Sequence, residues 1–307
     1  MRKVIGIGET ILDLILKENT PLASMPGGST LNAIVSLART GCPTCFLTEI
    51  GDDQVGQLIL NFLKNTGVST NHLVINPNFK TPLSLAFLDA KNNATYSFYK
   101  GEALEGFKYD CPEINKDDIV LFGSYFAVDP NKRKGVEEFL QYARNKGALL
   151  FYDPNFREAH QGEAIKLTPT LLDNFELADV ICGSVDDFKV LYGLDDPKQI
   201  FQRKIEFYCK NFICTSGDQP VHLHSSKVEK TYPTPAIQTV STIGAGDNFN
   251  AGIIYGFLQL GVTRENLNTL NEEEWDSIIN WGQSFSKETC LHLENFVPQE
   301  FTPAKKA

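Results

Sequence analysis

The chain has 307 residues, 42% hydrophobic and 21% charged, which suffices for one large α/β core or two small ones. A formal net charge of −10 argues against nucleic acid or an anionic membrane as partner, and no apolar run approaches the ~20 residues of a membrane-spanning helix. Seven scattered cysteines, an odd number, fit free thiols in a reducing cytoplasm better than a disulfide framework, so a cytoplasmic protein acting on small polar ligands is expected.

In chain order, residues 4–8 (Val-Ile-Gly-Ile-Gly) read as a strand that runs into Glu9, unlike a signal peptide. A helix is predicted over 30–39, a strand over 45–50 and an amphipathic helix over 54–65. Residues 83–89 and 95–100 then form β-type runs on either side of the polar cluster Ala90-Lys91-Asn92-Asn93, which suits a hairpin. Such an insertion can act as a lid, with a contribution from 14–26, or be an edge hairpin with no role. After residue 117 buried strands are predicted at 119–123, 148–152, 180–182 and 212–215, with helices at 132–145, 168–175 and 186–192 between them. Alternation of this kind gives a three-layer α/β/α fold with a mostly parallel central sheet. Its ligands gather at the carboxyl ends of the strands. With no repeat or linker, residues 1–307 read as a single domain, and only 303–307 look like a loose tail.

Several common site patterns are absent. Gly6-Ile7-Gly8-Glu9-Thr10-Ile11 has isoleucine where a dinucleotide fingerprint needs its third glycine, and there is no P-loop, H-E-x-x-H or G-x-S-x-G. Cys42 and Cys45 have C-x-x-C spacing without a second pair or a histidine, and His222 and His224 share a strand face without a third ligand. The cysteine pair reads as structural and the histidine pair as a surface or edge feature of its strand.

Two glycine turns carry more. In Ser241-Thr242-Ile243-Gly244-Ala245-Gly246-Asp247 a flexible turn feeds a helix whose first amides can face an anion, and Asp247 sits beside them. That suits phosphoryl transfer to a hydroxyl, the amides holding phosphate charge and Asp247 taking the proton. Taken alone, the turn reads equally as a helix start capped by its aspartate. In Gly27-Gly28-Ser29-Thr30-Leu31-Asn32 the glycines let a ligand rest on the backbone, and Asn32 offers a donor and an acceptor to a polyol. Asp13 adds an acceptor for sugar hydroxyls.

With both turns in hand, the chain resembles the ribokinase-like (PfkB) carbohydrate kinase family, nearest its fructokinase and 2-keto-3-deoxygluconate kinase members. The segment from Gly27-Gly28 to Gly41 matches the N-terminal signature G-G-x-x-x-N-x-A-x-x-L-A-x-x-G, Gly51 to Gly56 the G-D-D-x-x-G turn, and Gly244 to Asp247 the C-terminal signature, in the family's order. The resemblance implies a ribokinase-like fold with a small β lid and an ATP-dependent kinase. A sugar would lie on Asp13, Gly27, Gly28 and Asn32, Asp247 would be the base, and Gly244, Ala245 and Gly246 the anion hole. It further implies Thr215, Gly217 and Asn280 near the nucleotide and Mg²⁺ as cofactor, with a monovalent cation as an open addition. Asp153-Pro154-Asn155-Phe156-Arg157 resembles a D-x-N-x-R segment that places Arg157 by the transferred phosphate, where a guanidinium neutralises charge.

The chain departs from the family in three places. Ser241 replaces the aspartate that usually opens D-T-x-G-A-G-D; Ser184-Val185-Asp186-Asp187 replaces N-x-x-E, leaving Asp187 to meet the metal through water; and Pro220 stands where glycine is frequent. A fructose-like sugar or sugar acid is the leading substrate expectation. A base-bearing nucleoside ranks lower, because no aromatic pair is assignable near Asp13. Competing expectations are a sugar- or nucleotide-binding regulator weakened in catalysis, and a kinase for a phosphorylated sugar using Lys100. A lid with an apolar face is compatible with a homodimer.

Overall fold

The computed structural model describes residues 2–18, 20–89, 94–99, 106 and 109–303. The expected turn at 90–93 and Lys100 lie outside them.

The strands that line the centre are short apolar runs buried on both faces, as a helix-covered parallel sheet requires. In chain order the elements are β1 (Val4–Ile7), β2 (Ile11–Lys17), β3 (Thr20–Gly27), α1 (Ser29–Arg39), β4 (Thr44–Leu47), β5 (Glu49–Gly51), α2 (Gln54–Asn65), β6 (Val74–Asn76), β7 (Leu83–Leu88) and β8 (Ala94–Tyr99). They continue with β9 (Ile119–Gly123), α3 (Arg133–Asn145), β10 (Leu149–Asp153), α4 (Ala164–Leu177), β11 (Val180–Ser184), α5 (Val185–Tyr192), α6 (Pro197–Ile200), β12 (Phe212–Ser216), β13 (Gln219–His224), β14 (Glu229–Tyr232), α7 (Ala245–Gln259) and α8 (Glu272–Cys290). Eight strands form the main sheet in the order β14-β13-β12-β11-β10-β9-β1-β4. All pairings from β12 to β4 are parallel, and β13 and β14 add an antiparallel margin.

Alternate residues of each strand feed opposite cores. Leu121, Phe151 and Val180 face α1, α2, α7 and α8, whereas Val120, Phe122, Tyr152 and Ile181 face α3, α4 and α5. This is the expected α/β/α sandwich. Full burial of Leu31, Ile34 and Val35 docks α1 on the sheet, each worth about 1.5–3 kcal/mol.

A second sheet, β3-β2-β7-β8, projects from the strand ends. β2 and β3 therefore share a sheet with β7 and β8, through the parallel pairing of β2 with β7. Its inner face buries Ile15, Ala86 and Leu88 against Ile243, with Tyr96 packed beside them. Leu22 and Tyr99 are exposed, and so in part is Phe98, which stacks on Tyr96 on the same strand.

Three local expectations change. The strand predicted over 45–50 is broken at Thr48, and its second half pairs with β6 in a separate small sheet. His222 and His224 are not on an edge strand, because β14 covers β13, and His224 is buried with its ring stacked on Phe201 at 4.5 Å. Regular structure ends at Cys290 rather than near 303, and the irregular stretch beyond returns to the centre of the molecule. The Gly51 to Gly56 motif is architectural: Asp53 caps α2 by accepting from Gly56 N at 2.8 Å and ties in Thr81. The seven cysteines are free, and among the described residues no helix is long and apolar enough to cross a membrane.

Candidate active site

The C-terminal ends of β9, β10, β11 and β12, the first turns of α1 and α7 and the inner face of the lid sheet enclose two adjoining cavities of about 250 Å³ and about 90 Å³. The smaller is lined by Asp13, Gly28, Asn32 and Tyr125 among others, the larger by Thr215, Gly217, Asp187 and the turn from Thr242 to Gly246. Asp247, Arg157, Asn155, Gly244, Ile243 and Tyr96 line both. These six mark the wall where the contents of one cavity meet those of the other.

Backbone shape explains both glycine turns. Gly244 is the N-cap of α7 with φ of 76°, a left-handed conformation that costs other residues about 1–2 kcal/mol, and a Cβ there would press into the Asn295 carbonyl oxygen. No side chain caps α7; the Ala245 amide donates to Thr242 O at 3.3 Å, and the first-turn amides that follow it remain for a ligand. Gly246 faces open space. At the other turn, Gly28 has φ of 127° with Glu9 O 2.5 Å from where a Cβ would be, and a Cβ on Gly27 would collide with the Asp13 carboxylate. Gly27 thus makes room for Asp13 rather than lining the cavity itself.

Three buried carboxylates each receive an asparagine amide. Asn32 Nδ2 donates to Asp247 Oδ2 at 2.8 Å, Asn250 Nδ2 to Asp153 Oδ2 at 2.9 Å, and Asn295 Nδ2 to Asp13 Oδ2 at 2.9 Å. An amide N–H donates a hydrogen bond but does not itself ionise, so each pair orients its carboxylate and favours the ionised form. The Oδ1 atoms of all three asparagines are buried with no partner among the described residues. Such acceptors suit ligand hydroxyls or water.

Burial pushes the Asp247 carboxyl above its usual range, against the pull of Asn32 and Arg157. Asp153 is raised well above it by burial and by the neighbouring charges of Asp187 and Asp247. Arg157 lies within reach of these charges. Burial opposes its charge, yet Asp187, Asp247 and Asp153 around it raise its proton affinity. The residue is exposed and lines both cavities.

Asp187 is tied down differently from the sequence expectation. With Ser184 it forms a capping box on α5, accepting from Ser184 N at 2.7 Å and Ser184 Oγ at 2.8 Å. Among the described residues no group of three or more His, Cys, Asp or Glu is arranged to hold a metal ion. The donor set therefore fits a hard cation that brings its own phosphate and water ligands, with Asp187 at the margin, and does not fit a protein-built cage. Ser241 is buried and spends its Oγ accepting from Ile243 N at 3.2 Å, bracing the turn. Asn280 is exposed on α8 and does not line either cavity.

Several contributors escaped the sequence. Tyr125 and His160 stack at 4.0 Å and line the smaller cavity with Phe98, so an aromatic wall does exist near Asp13, contrary to expectation. Ser124 (φ 54°) and Asn155 (φ 38°) are held in left-handed backbone at the cavity and joined by a 3.3 Å hydrogen bond. Ser84 donates to Asp13 Oδ1. Asn250 alone had a readable signal, lying three positions after Asp247 on the same face of α7.

The family model described as pfkB family carbohydrate kinase matches residues 1–288. The chain is 25% identical over 268 residues to fructokinase-1 of Oryza sativa subsp. japonica, covering 83% of each. It is 28% identical over 279 residues to 5-dehydro-2-deoxygluconokinase of Geobacillus thermodenitrificans, covering 83% of this chain and 80% of that one. A fructokinase from Vibrio cholerae O395, solved with fructose, ADP and calcium bound, superimposes with a TM-score of 0.83 at 20% identity, over 96% of this chain and 94% of that one.

Proposed function

The chain belongs to the pfkB family of carbohydrate kinases, and on that footing we propose that it transfers the terminal phosphoryl group of ATP to a hydroxyl of a small, neutral, fructose-like sugar. The observation that carries this reading is the position of Asp247 and Arg157 on the wall shared by the two cavities. A sugar in the smaller cavity would meet the end of a triphosphate from the larger one there.

In this reading Asp13, oriented by Ser84 and Asn295, accepts from sugar hydroxyls, and the aromatic face of Tyr125 packs against the C–H face of the sugar. Asp247, oriented by Asn32, takes the proton of the attacking hydroxyl, and its raised proton affinity suits that task. Arg157 and the first amides of α7 balance charge on the moving phosphoryl group. Thr215 and Gly217 border the nucleotide. A divalent cation such as Mg²⁺, carried on the phosphates and met by Asp187 through water, would supply further neutralisation of that charge.

Charge in the smaller cavity favours a neutral sugar over a sugar acid or a phosphorylated sugar. Glu9, Asp13 and Asp247 line it against Arg157 and His160, and Arg157 is already surrounded by carboxylates. ADP release measured over fructose, 2-keto-3-deoxygluconate, fructose 1-phosphate and fructose 6-phosphate tests this, with Asp247→Ala alongside. Fructose should react fastest, and the variant should lose about 10²- to 10⁴-fold in kcat. If both proteins release ADP equally slowly while a sugar still raises the melting temperature, a sugar-binding regulator replaces the kinase.

A further inference from the structure

The stretch after α8 is irregular, yet it is pinned on both sides of Asn295. Arg39 Nη1 donates to Glu294 Oε2 and to Val297 O, both at 2.6 Å, and its guanidinium lies 4.7 Å from the centre of the Phe296 ring. Phe296 packs against Phe62 with ring centres 5.2 Å apart and planes tilted by 34°, and Val297 N donates to Ser36 Oγ at 3.1 Å. Asn295 itself has no exposed surface. Its amide reaches Asp13, while its backbone carbonyl accepts from Asn248 Nδ2 at 2.8 Å, the same amide that donates to Gly244 O at 2.7 Å. One residue thus touches the sugar-side carboxylate through its side chain and the anion turn through its backbone.

The buried, unpartnered Oδ1 of Asn295 argues that packing is not its purpose, since an unsatisfied acceptor costs about 1–3 kcal/mol that a leucine of similar volume would avoid. We propose that Asn295 is a positioning residue for sugar binding, presenting the Asp13 carboxylate ionised and in one orientation to the substrate hydroxyls. The proposal rests on the sugar-kinase reading above and deepens it.

Burial raises Asp13 to about 6, Ser84 and Asn295 pull it down, and Asp247 on α7 pushes with the burial. Tyr96 from β8 also faces Asp13, and Glu9, Arg157 and His160 line the same cavity. Removing an asparagine donor therefore moves the protonation of Asp13 to higher pH.

The test is steady-state kinetics of Asn295→Leu and Asn295→Ala, with fructose and ATP varied separately across pH, and calorimetric binding of fructose without nucleotide. Loss of a hydrogen bond to a charged group should raise the fructose KM and dissociation constant about 10- to 100-fold. The acid limb of kcat/KM should shift upward, with the ATP KM near wild type. Ser84→Ala, which removes the other donor, should shift the limb in the same direction. A folded variant with unchanged fructose KM, or a loss of equal size at every pH, overturns the proposal. If neither Asn295 variant folds, an unmoved acid limb in Ser84→Ala overturns it. A wild-type protein that phosphorylates no sugar would instead overturn the kinase reading itself.

Discussion

The two cavities are built from different material. The smaller is lined mostly by side chains drawn from β2, α1, the β9 and β10 ends and the lid, with Asp13, Ser29 and Asn32 each bonded to a partner on another element. The larger is dominated on one side by backbone, the turn from Thr242 to Gly246 whose amides need no side chain to present them. Side-chain walls can be re-cut one residue at a time, whereas a backbone wall changes only if the turn changes. A kinase that keeps one phosphate donor and varies its acceptor has use for that division.

Breaking the seam between the two should have the largest effect. Arg157→Ala leaves Asp153, Asp187 and Asp247 facing one another without a cation, and kcat should fall about 10²- to 10³-fold, with Arg157→Lys recovering only part. Equal activity of Arg157→Ala and wild type would show that the seam carries no transferred charge. The backbone wall is tested next by two alanines. Gly244→Ala should lower stability by about 1–2 kcal/mol from its left-handed φ alone, with the clash on Asn295 O in addition, and abolish measurable ATP use. Gly246→Ala meets nothing and should raise stability by about 1 kcal/mol as a helix former while increasing the ATP KM. An unchanged ATP KM in Gly246→Ala would mean phosphate does not approach that amide edge.

The smallest expected effect sharpens the side-chain half. Burial raises Asp13 to about 6, so in mildly acidic solution it should take up a proton and lose an acceptor, and on the proposed reading its ionised form is the one that holds the sugar. The kcat/KM for fructose should therefore fall on the acid side, with kcat at saturation falling less, and Asp13→Asn should flatten that limb at a uniformly lower value. A limb that persists in Asp13→Asn assigns it to another group, Asp247 first.

Much of the fold was legible because its signals are local. The runs at 119–123 and 148–152 had to be buried strands, since each is apolar on both faces, and the β-type runs at 83–89 and 95–100 stood out against the helical rhythm around them. The break at Thr48 was marked by the polar pair Thr48-Glu49, which a single strand over 45–50 reads through. The glycine turns could be read because steric demand on the backbone selects glycine directly. What could not be read were the partners: Ser84 and Asn295 meet Asp13 only after two sheets and a C-terminal stretch have folded together, and neither follows a spacing rule. Asp187 shows the converse, an acid at a suggestive position whose nearest task is to cap α5.

The ties at Asn295 and Asn32 span 282 and 215 positions of sequence. During synthesis Asp13 is therefore made on the order of 15–60 s before its asparagine, at ordinary rates of chain elongation. Until residue 295 has been made and folded back, Asp13 lacks the amide that orients it. On the proposed reading, sugar phosphorylation by a growing chain should begin only after that point.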